Sequence, residues 1–246
     1  MTTFLLVHGA YHGAWCWRYL TPLLEAAGAR VLAPDLPGHG ADTTPSAELS
    51  LSLYADHVAA AARAAGEPVA LVGHSMAGAV IAQAAERAPE AIRRLVYLTA
   101  YMPGHGESIV DWARKDAGTK AQGTRVEYEG VPCLAVDRAK TREAFYQDAT
   151  EADVDWVAAR LRPEPLAVFR APLALTPENF GRLPRDYISC RRDLAITADL
   201  QDAMLAALPA RRVWQMDTGH SPFVVAPGAL ADILLEGEEG GEPRGE

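Results

Sequence analysis

The sequence is short of cysteine, of lysine and of positive charge. Cys16, Cys133 and Cys190 are its three cysteines, an odd number without metal-binding spacing, so we expect reduced thiols and no disulfide framework. Only 3 of the 23 basic residues are lysine, and 32 acidic residues bring the net charge to −9. This charge disfavours nucleic acid and anionic membrane surfaces as partners, and a small molecule is the expected partner.

Long apolar runs are missing as well. No stretch approaches the roughly 18 uninterrupted apolar residues of a transmembrane helix. The apolar run near the N-terminus, residues 4–7, is only four residues long and has no basic region before it, so we expect neither a signal peptide nor a membrane anchor. A cytoplasmic location is the resulting prediction. With 49% hydrophobic and 22% charged residues, the chain has the composition of a globular protein.

The acidic excess is concentrated at the C-terminus. Residues 236–246 read EGEEGGEPRGE and carry −4 of the net charge of −9. Glycine, proline and glutamate without an apolar residue cannot bury a core, so we expect a solvated, disordered tail. A docking function for this tail is the alternative.

Short, nearly continuous apolar runs alternate with longer alanine-rich segments over most of the chain. Such runs are typical of strands buried on both faces, and their alternation with helices predicts an α/β fold with a mostly parallel, twisted sheet and helices on both faces. The predicted strands are residues 3–7, 30–33, 69–72, 95–98, 185–189 and 211–215, and the predicted helices are residues 15–27, 52–65, 76–87, 197–208 and 228–235.

The alternation stops within residues 102–183. This segment has more charged and aromatic residues, with predicted helical pieces at 108–117, 142–147 and 152–161 and a short hairpin around 125–135. Compact insertions between two strands often cover an active site, so we interpret it as a lid on a core formed by residues 1–101 and 184–235. A second packing layer without a part in the substrate pocket is the alternative. Apolar faces of the lid would also support a homodimer.

The central motif is Gly-His-Ser-Met-Ala-Gly at residues 73–78, between a predicted strand and a predicted helix. A serine among small residues at such a turn is typical of a nucleophile elbow, a strained turn that presents the hydroxyl of Ser75. Ala77 stands where the usual pattern has glycine. A simple helix N-cap is the alternative for this serine.

A nucleophilic serine needs a base, and the base needs an acid that orients it. Asp193 and His220 each follow the carboxyl end of a predicted strand, in the chain order serine, acid, histidine. Open α/β sheets place their sites at that edge, so the three side chains can converge. Asp217 and Asp199 are competing acids, but Asp193 is favoured because it ends its own strand.

An acyl-transfer site also needs donors for the oxyanion. The backbone amide of Met76, directly after the serine, is one predicted donor, and that of Ala10, in the loop after the first strand, is the other. His8 and His12 in this loop could be taken for metal ligands. Without a carboxylate cluster beside them, we expect them to brace the loop by hydrogen bonds. The Asp-Leu-Pro-Gly-His-Gly turn at 35–40 is expected to support the site structurally.

Together these motifs resemble one branch of the α/β-hydrolases, that of plant methyl-salicylate-type esterases and hydroxynitrile lyases with their bacterial esterase relatives. The resemblance rests on residues 8–15, 35–40, 73–76 and 187–193 and extends over 3–101 and 184–235. It implies the α/β-hydrolase fold, the triad Ser75, Asp193 and His220, and an oxyanion hole at the amides of Ala10 and Met76.

Members of that branch that cleave cyanohydrins carry threonine at the place of Gly9 and lysine directly after the catalytic histidine, where this chain has Ser221. We therefore expect a serine carboxylesterase, without metal or organic cofactor, for a small apolar or aromatic ester such as a methyl ester or a lactone. Substrate contacts are expected from Tyr11, Trp112, Phe145 and Ser221. Two alternatives stay open: a C–C lyase or cyclase acting on a polyketide-like biosynthetic intermediate, and a small-molecule receptor with residual hydrolase activity.

Overall fold

A computed structural model describes residues 2–239 of the chain. The strands are β1 (Thr3–Val7), β2 (Arg30–Leu32), β3 (Val69–His74), β4 (Ile92–Leu98), β5 (Thr124–Tyr128), β6 (Val131–Ala135), β7 (Glu164–Pro165), β8 (Arg185–Cys190) and β9 (Arg212–Met216). The helices are α1 (Thr21–Ala26), α2 (Leu51–Ala64), α3 (Ala77–Arg87), α4 (Ile109–Ala113), α5 (Arg138–Lys140), α6 (Glu151–Ala158), α7 (Leu166–Arg170), α8 (Ala198–Ala207), α9 (Pro222–Val225) and α10 (Pro227–Glu239). None of these helices is long and apolar enough to cross a membrane.

Six strands form one parallel sheet in the order β2-β1-β3-β4-β8-β9. They are the strands predicted from the apolar runs, so the prediction of a parallel α/β sheet is confirmed. Every residue of β1 and β3, two neighbouring interior strands of the sheet, is buried. Burial on both faces explains why these segments show no polar–apolar alternation.

The two faces of the sheet have separate cores. Leu5 and Leu71 pack on one face with the apolar sides of α2 and α3. Leu6 and Val72, their neighbours along the same strands, pack on the other face with α1 and α10. Adjacent strand residues point to opposite faces, so one continuous apolar run serves both cores.

Residues 99–184 form an insertion between β4 and β8, which are neighbours in the main sheet. It contains α4 to α7 and a three-stranded antiparallel sheet in the order β5-β6-β7. Glu129 and Gly130, which join β5 to β6, have φ values of +51° and +75°, as a tight two-residue hairpin turn requires. The predicted hairpin is therefore present. Sequence reasoning missed β7, because this strand is only two residues long and contains Pro165, a residue that is rare within sheets.

The predicted helix at 15–27 and the predicted start of the tail at 236 differ from the structure. Residues 15–27 do not form one helix: a 3₁₀ turn at Ala14–Trp17 precedes α1, whose first turn contains Pro22, a residue that a helix interior does not accommodate. The predicted disordered tail does not begin at residue 236, since α10 continues to Glu239. The Glu238 carboxylate pairs with Arg94 Nε at 2.6 Å, which ties this last turn to the core. The rest of the predicted tail, 240–246, lies outside the described residues.

Asp186, at the start of β8, is a buried charge whose loss should destabilise the fold strongly. Its carboxylate, with no exposed surface, accepts hydrogen bonds from Arg94 at 2.8 Å and from Arg211 at 2.7 and 3.0 Å. Removing one partner of a buried pair typically costs about 3–5 kcal/mol, so Asp186→Ala should lower the melting temperature by roughly 10 °C. Asp56→Ala is the control, because Asp56 is 65% exposed in its pair with Arg87. Equal melting temperatures for the two variants would contradict the prediction.

Candidate active site

Ser75 lies in the turn between β3 and α3, at the carboxyl edge of the sheet. Its φ of +57° is in the left-handed region that side-chain-bearing residues rarely adopt. The turn is fixed by hydrogen bonds from the Ser75 amide to the Leu98 carbonyl (3.3 Å) and from the Tyr101 amide to the Ser75 carbonyl (3.1 Å). Strain of this kind is typical of functional sites, and Ser75 is partly exposed between buried neighbours.

The small residues of the motif are required by close packing. A Cβ at Gly73 would stand 2.8 Å from the Ala77 carbonyl oxygen, and one at Gly78 would stand 1.9 Å from the Tyr101 carbonyl oxygen. Ala77 itself is completely buried and is accommodated. The position that must be glycine after the serine is therefore 78, which explains how this elbow differs from the usual pattern.

Asp193 and His220 form a buried hydrogen-bonded pair at the same edge of the sheet. The Nδ1–H of His220 donates to Asp193 Oδ2 at 2.7 Å. Asp193 Oδ1 accepts from the backbone amides of Ala195 (2.6 Å) and Ile196 (2.9 Å), and the Thr99 hydroxyl donates to Oδ2. These bonds fix the carboxylate in the orientation that holds Nδ1 of the imidazole, so Nε2 is the ring nitrogen that does not face Asp193.

The two competing carboxylates, those of Asp217 and Asp199, point into solvent and not towards His220. The side chain of Asp217 is 89% exposed and pairs with Arg192 at 3.0 Å. Asp199 is exposed on the first turn of α8. Of the three acids considered in the sequence, the structure thus brings only Asp193 to His220.

Ala10 and Met76 carry the two backbone amides predicted to form an oxyanion hole. Both residues line the same cavity as Ser75. Within residues 2–239, neither amide donates a hydrogen bond to another group of the chain. A Cβ at Gly9 would lie 2.9 Å from Ser75 Cβ, so the loop after β1 approaches the serine as closely as a glycine allows.

His8 and His12 brace this loop, as predicted. His8 donates from Nδ1 to the following carbonyl (2.9 Å) and accepts at Nε2 from the Leu36 amide (3.0 Å). His12 donates from Nδ1 to the Ala10 carbonyl (2.7 Å) and accepts at Nε2 from the Tyr146 hydroxyl (2.8 Å). Burial holds the pKa of His8 well below its usual value and lowers the pKa of His12 to about 4, so both rings are neutral near pH 7.

The turn at 35–40, which follows β2, supports the loop after β1 by hydrogen bonds, also as predicted. Asp35 Oδ1 accepts from the Ala14 amide at 2.6 Å, and its Oδ2 accepts from the Ala41 amide at 2.9 Å. A Cβ at Gly40, where φ is +56°, would collide with the Asp35 carboxylate at 1.9 Å. Glycine is therefore required at position 40 both for the positive φ and for the close approach of the Asp35 carboxylate.

The cavity in front of Ser75 has a volume of about 140 Å³ and is lined almost entirely by apolar groups. None of the described residues that line it is charged. The insertion contributes Ile109, Val110, Leu134, Phe145, Leu166 and Phe169 to its wall. A cavity of about 150 Å³ in another protein holds a benzene ring, so this cavity matches a ring-sized group.

Of the four residues predicted to contact the substrate, the structure places two in the wall of this cavity. Tyr11 and Phe145 line the cavity. Trp112 does not, because its indole N–H donates to Glu107 at 2.8 Å and draws the ring away. Ser221 is completely buried at the N-terminus of α9 and does not line the cavity.

The sequence model of a family described as the alpha/beta hydrolase family matches residues 4–233. The chain belongs to this family. It is 34% identical to Methylesterase 2 of Arabidopsis thaliana over 259 residues, which covers 94% of each chain. It is 33% identical to the putative chloroplastic methylesterase 11 of the same plant, of which it spans 63% of the length. The crystal structure of the Arabidopsis methylesterase MES16 superimposes with a TM-score of 0.85 at 28% identity, covering 97% of this chain and 99% of that one.

These relatives support an esterase of the α/β-hydrolase type. The resemblance inferred from the motifs is thereby confirmed at the level of the family and fold.

Sequence reasoning missed two residues that are hydrogen-bonded to the predicted acid Asp193 and the predicted base His220. Thr99, with φ of +38°, directly follows β4 and donates to Asp193. His74 donates from Nε2 to the His220 carbonyl oxygen at 2.8 Å, and the two rings lie 4.5 Å apart. The position of Thr99 at a strand end was the available signal, because the predicted catalytic groups also follow strand ends.

Proposed function

We propose that this chain is a serine carboxylesterase that hydrolyses small, uncharged esters of apolar or aromatic acids, methyl esters among them. The observation that carries the proposal is a strained, partly exposed serine opening onto an apolar cavity, with a buried histidine–aspartate pair at the same sheet edge. The similarity to methylesterases supports the same chemistry.

In this mechanism Ser75 Oγ attacks the ester carbonyl carbon while His220 Nε2 takes its proton. Asp193 stabilises the resulting imidazolium. The amides of Ala10 and Met76 donate to the oxyanion, and each such donor is worth about 3–4 kcal/mol of barrier. The C–O bond of the ester then breaks, the alcohol leaves with the proton from His220, and a water molecule activated by the same imidazole releases the acid.

The cavity limits the size and the charge of the acyl group. Its volume of about 140 Å³ suits a single ring or a short chain, and its wall offers no charged partner for a second carboxylate. Because the wall comes largely from the insertion, residues 102–183 act in this proposal as the lid that covers the acyl group and excludes water.

An ester panel with the wild-type protein tests the proposal. We expect kcat/KM to be highest for methyl benzoate, lower for methyl decanoate, and lowest for the monomethyl ester of terephthalic acid, whose free carboxylate is charged. In H₂¹⁸O the benzoate formed should carry one ¹⁸O atom. Absence of hydrolysis of every ester would contradict the proposal, and conversion of a substrate without ¹⁸O uptake would favour lyase or cyclase chemistry instead.

Phe169 should control the size of the acyl group. Its ring lines the cavity and lies 6.4 Å from that of Tyr11. Contact with a phenyl ring is worth about 1.5–3 kcal/mol, so Phe169→Ala should lower kcat/KM for methyl benzoate about 10- to 100-fold. The same variant should favour methyl 1-naphthoate relative to methyl benzoate by more than tenfold over the wild type. Phe169→Leu is the milder control. An unchanged ratio of the two kcat/KM values would show that this ring does not limit the acyl group.

A further inference from the structure

The insertion is hydrogen-bonded to the loops that carry the predicted acid Asp193, the predicted base His220 and the predicted oxyanion donor Ala10. Each bond ends on a backbone atom directly beside a catalytic residue. The side chain of Gln147 donates from Nε2 to the carbonyl of Arg192, which precedes Asp193, at 2.6 Å. The carboxylate of Asp148 accepts from the amide of Gly219, which precedes His220, at 2.8 Å.

The third bond reaches the oxyanion loop. The amide of Arg162 donates to the carbonyl of Tyr11, which follows Ala10, at 2.9 Å. Tyr11 has a φ of +69°, so the loop is held here in a conformation that a tyrosine rarely adopts. The insertion therefore contacts the acid loop, the base loop and the oxyanion loop as one body.

Gln147 and Asp148 are packed tightly on the catalytic loops. A Cβ at Gly219 would lie 2.5 Å from the Gln147 amide group, so the Gln147 side chain is in direct contact with the backbone at Gly219. The side chain of Asp148 is only 15% exposed. Two residues before Gln147, Phe145 lines the cavity and lies 5.4 Å from the His220 ring. One turn of the insertion thus touches the cavity, the base and the acid loop.

We propose that Gln147 and Asp148 are positioning residues, which fix the acid loop and the base loop relative to one another. The insertion then sets kcat through the geometry of Asp193 and His220, in addition to shaping the cavity. This inference rests on the proposed function. A displacement of about 1 Å in a catalytic group can cost about 100-fold in rate, so the loss of either bond should be visible in kcat.

Asp148→Ala removes the acceptor, whereas Asp148→Asn keeps an oxygen that can accept from Gly219. We expect the alanine variant to lose about 10- to 100-fold in kcat with KM within about threefold, and the asparagine variant to stay within about threefold in both. Gln147→Met, which removes only the donor to Arg192, should resemble Asp148→Ala and replaces it if that variant does not fold. Glu143→Ala is the matched control, because this exposed residue of the insertion forms a salt bridge with Lys140 of the same segment.

A second readout does not depend on turnover. The Nδ1–H proton of His220 should give a low-field NMR signal, assigned by its absence in His220→Gln. We expect this signal in the wild type, Asp148→Asn and Glu143→Ala, and its loss or shift in Asp148→Ala with the melting temperature unchanged. If the wild type hydrolyses no ester but the signal responds in this way, the proposed function fails and the positioning role stands.

Three results would overturn the inference while leaving the esterase intact. The first is wild-type kcat and an unchanged signal in Asp148→Ala and Gln147→Met. The second is a rise in KM at constant kcat, which would make these residues part of substrate binding. The third is an equal loss of kcat in Asp148→Asn and Asp148→Ala, since the retained acceptor should rescue the rate.

Discussion

Ser75→Ala is expected to lower kcat for methyl benzoate hydrolysis by about 10⁵- to 10⁶-fold, with little change in KM. The loss is this large because the alanine variant keeps the cavity and the oxyanion donors but has no atom to form the acyl-enzyme. Residue 75 already adopts the left-handed backbone conformation with a Cβ present. Alanine has the same Cβ as serine, so the turn should fold as before. Activity of the folded variant within tenfold of the wild type would rule out Ser75 as the nucleophile.

Ser75→Gly is a useful companion to that variant. Glycine adopts a φ of +57° without strain, so this variant should be as inactive as the alanine variant but more stable, by about 1 kcal/mol. Greater stability combined with lost activity would indicate that the strained conformation of the turn is needed for activity and lowers the stability of the fold. A less stable glycine variant would contradict this interpretation of the backbone conformation.

Asp193→Asn is expected to lower kcat by about 10⁴-fold, the second-largest effect. In the wild type, Oδ1 accepts from two backbone amides, so the amide oxygen of asparagine will occupy that position. The NH₂ group then replaces Oδ2 and faces His220 Nδ1, which must accept instead of donate. The proton moves to Nε2, and the imidazole can no longer take the proton of Ser75.

The exposed Asp217 provides the matched control for this variant. Asp217→Asn changes the same functional group three residues before His220, but its side chain is 89% exposed and faces Arg192. We expect kcat within about twofold of the wild type for Asp217→Asn. If instead Asp217→Asn were inactive and Asp193→Asn fully active, the orienting acid would have been assigned to the wrong residue.

The sequence was sufficient to predict the parallel sheet and the contact of Asp193 with His220 at its carboxyl edge. Buried parallel strands have a composition that differs from their surroundings. Their carboxyl ends lie at one edge of the sheet, independently of the segments that connect the strands. Ser75, Asp193 and His220 could therefore be predicted to converge although they are 118 and 27 residues apart in sequence.

The walls of the cavity could not be predicted in the same way. Trp112 and Phe145 are both aromatic residues of the insertion, yet only Phe145 lines the cavity, because a hydrogen bond to Glu107 fixes the Trp112 ring elsewhere. Gln147 and Asp148 are polar residues without a motif, and their contacts form with loops more than 40 residues away in sequence. Such contacts depend on how the insertion packs on the core, which no local pattern encodes.

The measurement that tests the central claim most directly is the detection of an acyl group on Ser75. Wild-type protein is mixed rapidly with methyl benzoate, quenched in acid and digested, and the peptide that contains Ser75 is examined by mass spectrometry. The account predicts a benzoyl adduct on Ser75 that appears within one turnover and is absent from Ser75→Ala. Continued hydrolysis by Ser75→Ala, with no adduct on the wild-type peptide, would contradict it.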